Sequence, residues 1–385
     1  MTREYKINEQ DTKDNLRNIG YSLKEAVADL VDNSIDAKAS KIFIEYSFRE
    51  DNDEGYIAIA DNGSGMNQEE LDNAFSYQKN NTVIGNRLGF FGLGLKTASF
   101  SMCDKLSIIT KKKGSNSYRG MVDMNENKNT IHDEFDDPNN ITTLLENENH
   151  SNCLPIKLSQ GTIVMWSEIN DRLGRSLSNN ASKDSHNILT TIKNHLSLIF
   201  FDKIKKKEIE IFVGRNNWNK KPIDFFDPFM SSEDNTQNLQ EEKIEVESLK
   251  GKIKIQPYIV PNIESFSEEK REELIRFYNW NELQGIYILR NNRLLSYGKW
   301  HDLKFQTKRL IEGSHQYRNL RIKVSLNDLK NLEKLDLNIN KSKINLPIEV
   351  KEHLSIKLDK IIKEYNRRLN TIRVKKIYTY KGKDR

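Results

Sequence analysis

Apolar positions recur at helical spacing over Leu23, Val27, Leu30, Val31 and Ile35, while Glu25, Asp29, Asp32, Asn33 and Asp36 gather on the opposite side. The pattern predicts a helix with one face in a core and the other acidic. The unbroken run Tyr56-Ile57-Ala58-Ile59-Ala60 predicts a strand, and Leu106 to Thr110 and Tyr118 to Met124 read as two more, joined by a turn at Gly114-Ser115-Asn116. Thr162 to Trp166 is strand-like as well. Between these elements Glu126 to Cys153 is rich in Asn, Asp and Glu and reads as an exposed insertion. Ile188, Leu189, Ile192, Leu196 and Ile199 then mark an amphipathic helix that closes a first domain near Phe201.

A lysine-rich junction, Lys203-Ile204-Lys205-Lys206-Lys207, leads into a β-rich stretch. Its expected strands are Glu208 to Val213, Lys252 to Val260 and Gly285 to Leu289, with Ser231 to Glu242 as a polar excursion. From Ile348 to about Ile372 the pattern is helical again, with Leu354, Leu358, Ile361, Ile362, Tyr365 and Leu369 on one stripe. Beyond it Arg367, Arg368, Arg373, Lys375, Lys376, Lys381, Lys383 and Arg385 form a basic tail that would attract a phosphate backbone, although solvation alone accounts for such a tail.

Three short motifs carry chemistry. The acidic helix face ends in Asn33, and carboxylates with an amide oxygen nearby suit Mg²⁺, a hard ion that binds through oxygen together with substrate phosphates and water. Plain solvation of a surface helix also produces such a stripe. Next, Asp61-Asn62-Gly63-Ser64-Gly65 follows the strand ending at Ala60. A carboxylate at a strand end can accept from an exocyclic amine such as that of adenine, and the glycines let backbone approach a flat ring, although an Asp-Asn-Gly turn is often only a turn. Third, Gly89-Phe90-Phe91-Gly92-Leu93-Gly94-Leu95-Lys96 precedes a helix expected near Thr97. Glycines feeding a helix start expose amides to a phosphate. The order of the three motifs differs from that of P-loop enzymes, and together they outline a site for ATP and a divalent cation.

The segment Glu25 to Ala37 and the Gly89 to Ser99 loop resemble the superfamily of gyrase B, the heat-shock chaperones, histidine kinases and MutL, the GHKL ATPases with the Bergerat fold, and are most similar to its MORC and MutL-like branch. The resemblance implies that Asn33 coordinates Mg²⁺ and that Asp61 reads adenine. It further implies that Gly63, Gly65 and Met66 line the base, that Gly89, Gly92, Gly94, Lys96 and Thr97 cradle phosphates, and that Thr162, in Gln160-Gly161-Thr162, supports the aspartate. One position departs from the pattern. Where most of the superfamily has a glutamate that activates water, this chain has Asp29, the same chemistry on a shorter arm; Glu25, one turn earlier, is placed to assist. Slow hydrolysis, or binding without turnover, therefore stays open. Leu335 to Pro347 resembles the transducer loop of MutL-type proteins, in which the lysine matching Lys343 reaches the γ-phosphate, with Lys341 as the fallback. Asp224 to Phe229 and Tyr287 to Arg293 resemble the MORC-type version of that second domain.

These readings predict an α+β chain: a Bergerat α/β sandwich ATPase domain over residues 1–201, a transducer-like α/β domain over 202–347, and a C-terminal helix with a basic tail over 348–385. A length of 385 residues accommodates two cores. The formal net charge of +5, against 30% charged residues, argues for solubility alone. Cys103 and Cys153 show neither metal-ligand spacing nor a disulfide framework, which points to a reducing cytoplasm. No apolar run is long enough to span a bilayer, and no membrane role is expected. The abundance of Asn, Lys and Ile fits an AT-rich, bacterial genome. With so short a stretch ahead of the nucleotide helix, the dimerising phospho-acceptor helix of a histidine kinase is not expected. The resemblance implies an ATP-driven switch that forms a homodimer when nucleotide is bound, with DNA or a separate effector protein as partner. The alternatives are an ATP-sensing module with little turnover and a chaperone-like ATPase.

Overall fold

The computed structural model describes residues 21–47, 55–75, 94–124, 131–135, 158–169, 181–214, 221–306, 308–330, 336–337 and 344–381. The chain divides into two compact units, Met1–Phe226 and Asp227–Arg385. In the first, seven strands form one sheet: β1 (Lys41–Ser47), β2 (Tyr56–Asp61), β3 (Cys103–Lys111), β4 (Ser117–Asp123), β5 (Ile131–Phe135), β6 (Gly161–Ile169) and β7 (Glu210–Gly214). They lie in the order β5-β4-β3-β6-β2-β1-β7. Every pairing is antiparallel except that of β1 with β7. The helices are α1 (Leu23–Asp36), α2 (Gln68–Phe75), α3 (Gly94–Met102), α4 (Ala181–Ile199) and α5 (Phe201–Lys205).

Register decides which residues share a face. Asp61 of β2 lies opposite Thr162 of β6, which in turn lies opposite Thr110 of β3. Trp166 stands an even number of positions along β6 from Thr162 and so shares its face. Its indole N–H donates to the Ser99 hydroxyl of α3 at 2.8 Å. This face therefore carries the helices. On the other, Phe43, Tyr56, Ala58, Ala60, Ile109, Ile163, Met165 and Phe212 form a second buried cluster with Leu158, in which Phe43 and Phe212 stack at 4.7 Å. Burial on both faces explains why β2 reads as an unbroken apolar run.

Two expectations change. The strand over residues 208–213 does not open the second domain, as its place in the sequence suggests; the observed β7 instead pairs in parallel with β1, adding an edge to the first sheet. Its approach through α5 and a lysine-rich surface segment looks like a linker in sequence, because the partner strand lies far upstream. The expected exposed insertion, Glu126 to Cys153, also carries β5, which pairs with β4. On the acidic face of α1, Asp29 and Asp32 are buried, and α1 packs against both α3 and α4.

The second unit is built on a six-stranded sheet comprising β8 (Gln237–Asn238), β9 (Glu242–Val246), β10 (Gly251–Ile259), β11 (Gly285–Arg290), β12 (Arg293–Lys299) and β15 (Leu320–Ser325). The order is β12-β11-β15-β10-β8, with β9 also paired to β10. Two small antiparallel pairs are separate from it, β13 (Lys304–Phe305) with β14 (Lys308–Arg309), and β16 (Asp336–Leu337) with β17 (Ile344–Asn345). Helix α6 spans Glu268–Phe277, and α7 runs over Ile348–Lys381, longer than the apolar stripe suggests. Val350, Leu354, Leu358, Ile361, Ile362 and Tyr365 of α7 are buried as that stripe predicts. In the basic tail, Arg367 and Arg368 are both bonded by Glu364, at 2.7 and 2.6 Å, so neither is a bare cation. The segment of Lys341 and Lys343, the glycines Gly89 and Gly92, and Met1 to Ile19 lie outside the described residues.

Candidate functional site

The site is built where β2 ends. Asp61 is buried, and burial pushes its carboxyl above the ordinary value, while bonds from the Gly63 N–H, the Ser34 hydroxyl and the Thr162 backbone act in the opposite sense. The first two measure 2.8 Å each, Gly63 to Oδ1 and Ser34 to Oδ2. A carboxylate offers about four lone-pair directions, so three bonds leave room for one more donor. Ser34 is supplied by α1, one residue after Asn33, so the helix that carries the cation candidate also orients the Asp61 carboxylate.

The following turn is clamped on every side. Asn62 accepts from the Ser40 and Lys41 N–H groups at 2.9 Å, and the Ser64 N–H donates to the Ala37 carbonyl at 2.8 Å. Gln160 donates to the Gly63 carbonyl at 3.2 Å, and the Met66 N–H donates to the Thr110 hydroxyl at 2.8 Å. Two glycines have no substitute here. Gly65 (φ 65°) would place a Cβ 1.9 Å from the Lys111 carbonyl, and Gly161 (φ 128°) would place one 1.9 Å from the Asp61 carbonyl.

On α1 itself, Asn33 is half-buried and Asp29 is buried. The Tyr21 hydroxyl donates to Asp29 Oδ2 at 2.8 Å, and burial, helped by the Asp29 charge, pushes the phenol well up, so it stays a donor. Tyr21 also bonds Thr97, which ties the acid to α3. Glu25 is occupied elsewhere, since its carboxylate accepts from the Ser22 N–H at 3.1 Å and the Ser22 hydroxyl at 2.7 Å, capping α1. Of the two carboxylates nominated for the water, Asp29 is thus the one not spent on a cap.

Helix α3 starts at Gly94, three residues earlier than expected, so Lys96 and Thr97 lie in its first turns. Among the described residues, a Cβ on Gly94 would meet nothing within 4 Å. Lys96 is buried, and burial pulls its ammonium below the ordinary value. The Thr97 hydroxyl donates to the Gly94 carbonyl at 3.3 Å. Among the described residues no cluster of three or more His, Cys, Asp or Glu side chains surrounds a metal position. The donor set, an amide oxygen beside buried carboxylates, fits Mg²⁺ held jointly with substrate oxygens.

The structure thus brings Asp29, Asn33, Asp61, Gly63, Gly65, Met66, Gly94, Lys96, Thr97 and Thr162 onto α1, α3 and the adjoining strand ends of one unit. Ser34, Thr110 and Tyr21 carry no sequence signal of their own; the packing of α1 on β2 reveals Ser34 through its bond to Asp61, and the pairing of β3 with β6 reveals Thr110.

Residues 21–151 match the family described as Histidine kinase-, DNA gyrase B-, and HSP90-like ATPase. The chain is 35% identical over 89 residues to ATPase morc-1 of Caenorhabditis elegans, a stretch that is 23% of this chain and 10% of that protein. It is 34% identical over 95 residues to ATPase MORC2B of Mus musculus, 24% of this chain and 9% of that protein. These curated relatives are therefore matched over about a tenth of their length. Among solved structures, the crystal structure of the N-terminal domain of a DNA repair protein superposes with a TM-score of 0.51 at 18% identity, covering 94% of this chain and 98% of that one. That likeness extends the shared fold over both units. No described helix is long and apolar enough to cross a membrane.

Proposed function

We propose that this chain, a MORC-like member of the histidine kinase-, DNA gyrase B- and HSP90-like ATPase family, is an ATP-driven conformational switch that binds Mg-ATP at the α1–β2–α3 site and hydrolyses it slowly. The observation that carries this reading is Asp61: a buried carboxylate at a strand end, oriented by Ser34, Gly63 and Thr162, with acceptor capacity left for a ring amine. Asp61 binds the base, and Gly65 and Met66 let it lie close. Gly94 and the first turn of α3 receive the phosphates, with Lys96 as the neighbouring cation. Asn33 is the oxygen donor that α1 offers to magnesium, which when bound neutralises phosphate charge. Asp29, held by Tyr21, orients the attacking water and accepts its proton.

Closure follows from the second unit in this reading. Lys343, or Lys341 in its place, delivers an ammonium to the γ-phosphate, so the closed form is selected by ATP over ADP. The segment Met1 to Ile19 crosses to a second copy, making the closed form a homodimer. DNA, met through the basic segments, or a separate effector protein is the partner whose state the switch controls; the fold shared with a DNA repair protein favours DNA. The short arm of Asp29 and its bond to Tyr21 favour, as a second reading, a sensor that binds ATP with little turnover.

Titration calorimetry tests the site: ATP binds more tightly with Mg²⁺ than without, and Asn33→Ala loses that difference. Equal affinity with and without the ion in both proteins would contradict the assignment. Solution molar mass tests the switch: a nonhydrolysable ATP analogue doubles it and ADP does not, whereas one mass in every state argues against nucleotide-driven dimerisation.

A further inference from the structure

Thr110 is fully buried in β3, opposite Thr162, and its hydroxyl stands at a three-way junction. The Met66 N–H points at Thr110 Oγ1 from 2.8 Å, the Gly161 carbonyl lies 3.1 Å away, and Thr162 Oγ1 is at 3.0 Å. A hydroxyl has one proton and two lone pairs. The amide N–H can only donate, so it takes one lone pair of Thr110. The carbonyl can only accept, so it takes the proton. One lone pair remains, and the Thr162 hydroxyl satisfies it only by donating. Thr162, which is half-buried and whose backbone bonds Asp61, is then left with lone pairs alone to present beyond the junction.

We propose that Thr110 sets the hydrogen-bonding sense of Thr162 and thereby makes the base pocket accept a ring amine and reject a ring carbonyl, adenine over guanine; this rests on the reading that the base lies against Asp61. Adenine presents an amine donor at its six-position where guanine presents a carbonyl acceptor. With Asp61 and Thr162 both offering lone pairs, the guanine oxygen meets acceptors on every side and finds no proton to share. Remove the Thr110 hydroxyl and Thr162 regains a free rotor, able to turn its own proton toward a carbonyl. Thr110 acts through Thr162 and the Met66 amide without touching the nucleotide, and is a positioning residue.

The test is the ratio of ATP to GTP affinity, measured by calorimetry for the whole chain and for Thr110→Val, Thr110→Ser and Thr162→Val. Wild type and Thr110→Ser prefer ATP alike, because serine keeps the hydroxyl. Thr110→Val and Thr162→Val each lower the preference by about tenfold, the worth of one hydrogen bond. A loss of packing alone would weaken both nucleotides together and leave the ratio unmoved. If Thr110→Val does not fold, Thr110→Ala takes its place beside Thr110→Ser: preference lowered in the first and kept in the second supports the proposal, and preference kept in both overturns it. A Thr110→Val chain with the wild-type ratio overturns the inference and leaves the base site intact. A wild-type chain that binds neither nucleotide overturns the underlying reading.

Discussion

Replacing Asp61 by asparagine isolates the base-reading step. The substitution keeps the side chain's shape and exchanges one acceptor oxygen for an NH₂ donor. If the nitrogen takes the Oδ1 position it opposes the Gly63 N–H, 2.8 Å away, donor against donor. At Oδ2 it meets the Ser34 hydroxyl, which can rotate to accept. The variant therefore folds with its nitrogen at Oδ2, and its remaining oxygen is neutral and already accepts from Gly63. The base amine then loses a charge-assisted bond worth about 1.5–3 kcal/mol, or about ten- to hundredfold in Kd. Titration calorimetry with ATP reads this directly, and a thermal melt confirms that the variant is folded. Burial adds a second signature. Because it raises the Asp61 carboxyl above its ordinary value, the wild type loses its acceptor as pH falls through that raised value, and ATP affinity falls with it. The Asp61→Asn variant has no such group, so its affinity stays flat over the same range. A folded Asp61→Asn protein that binds ATP as tightly as wild type would refute the reasoning.

On the second face of the first sheet, Glu45 is fully buried with its carboxylate bonded by the Tyr56 hydroxyl at 2.9 Å, and burial pushes it up to about 7. A raised folded value favours the protonated form, so this stability is complete below about pH 4.5 and lost as pH rises through about 7; Glu45→Gln should gain up to about 3 kcal/mol on wild type between about pH 5 and about pH 8, and melts that differ equally at both would contradict it. Gly161→Ala forces a Cβ against the Asp61 carbonyl at positive φ, and should cost about 3 kcal/mol in urea denaturation; an unmoved midpoint would show that the strands adjust freely. Lys343→Ala should slow hydrolysis by about tenfold or more and weaken analogue-driven dimerisation more than ATP binding; unchanged turnover would make its loop a polar turn.

The nucleotide unit was legible where its signal is local. Helix α1 announces itself by period, and the Asp61 turn and the Gly94 helix start are contiguous strings. The burial of Asp29 and Asp32 was not legible, because α3 and α4, against which α1 packs, are distant in sequence. Strand β7 misled for the same reason, its parallel partner β1 being far upstream. Ser34 and Thr110 were invisible: a serine in a helix and a threonine in a strand are ordinary until tertiary packing sets them beside Asp61 and Met66. In the second unit, Lys250 (φ 49°) turns β9 into β10 and Asn291–Asn292 (φ 49° and 61°) turn β11 into β12, yet only the asparagine pair reads as a turn in sequence.

Steady-state phosphate release from Mg-ATP by the purified chain, with Asp29→Ala and Asp29→Glu in parallel, tests the central claim most directly. The account predicts measurable release by wild type, a fall of about a hundredfold or more in Asp29→Ala with ATP binding retained, and equal or faster release in Asp29→Glu. Release by Asp29→Ala at the wild-type rate, or none by a wild-type chain that binds Mg-ATP, would contradict it.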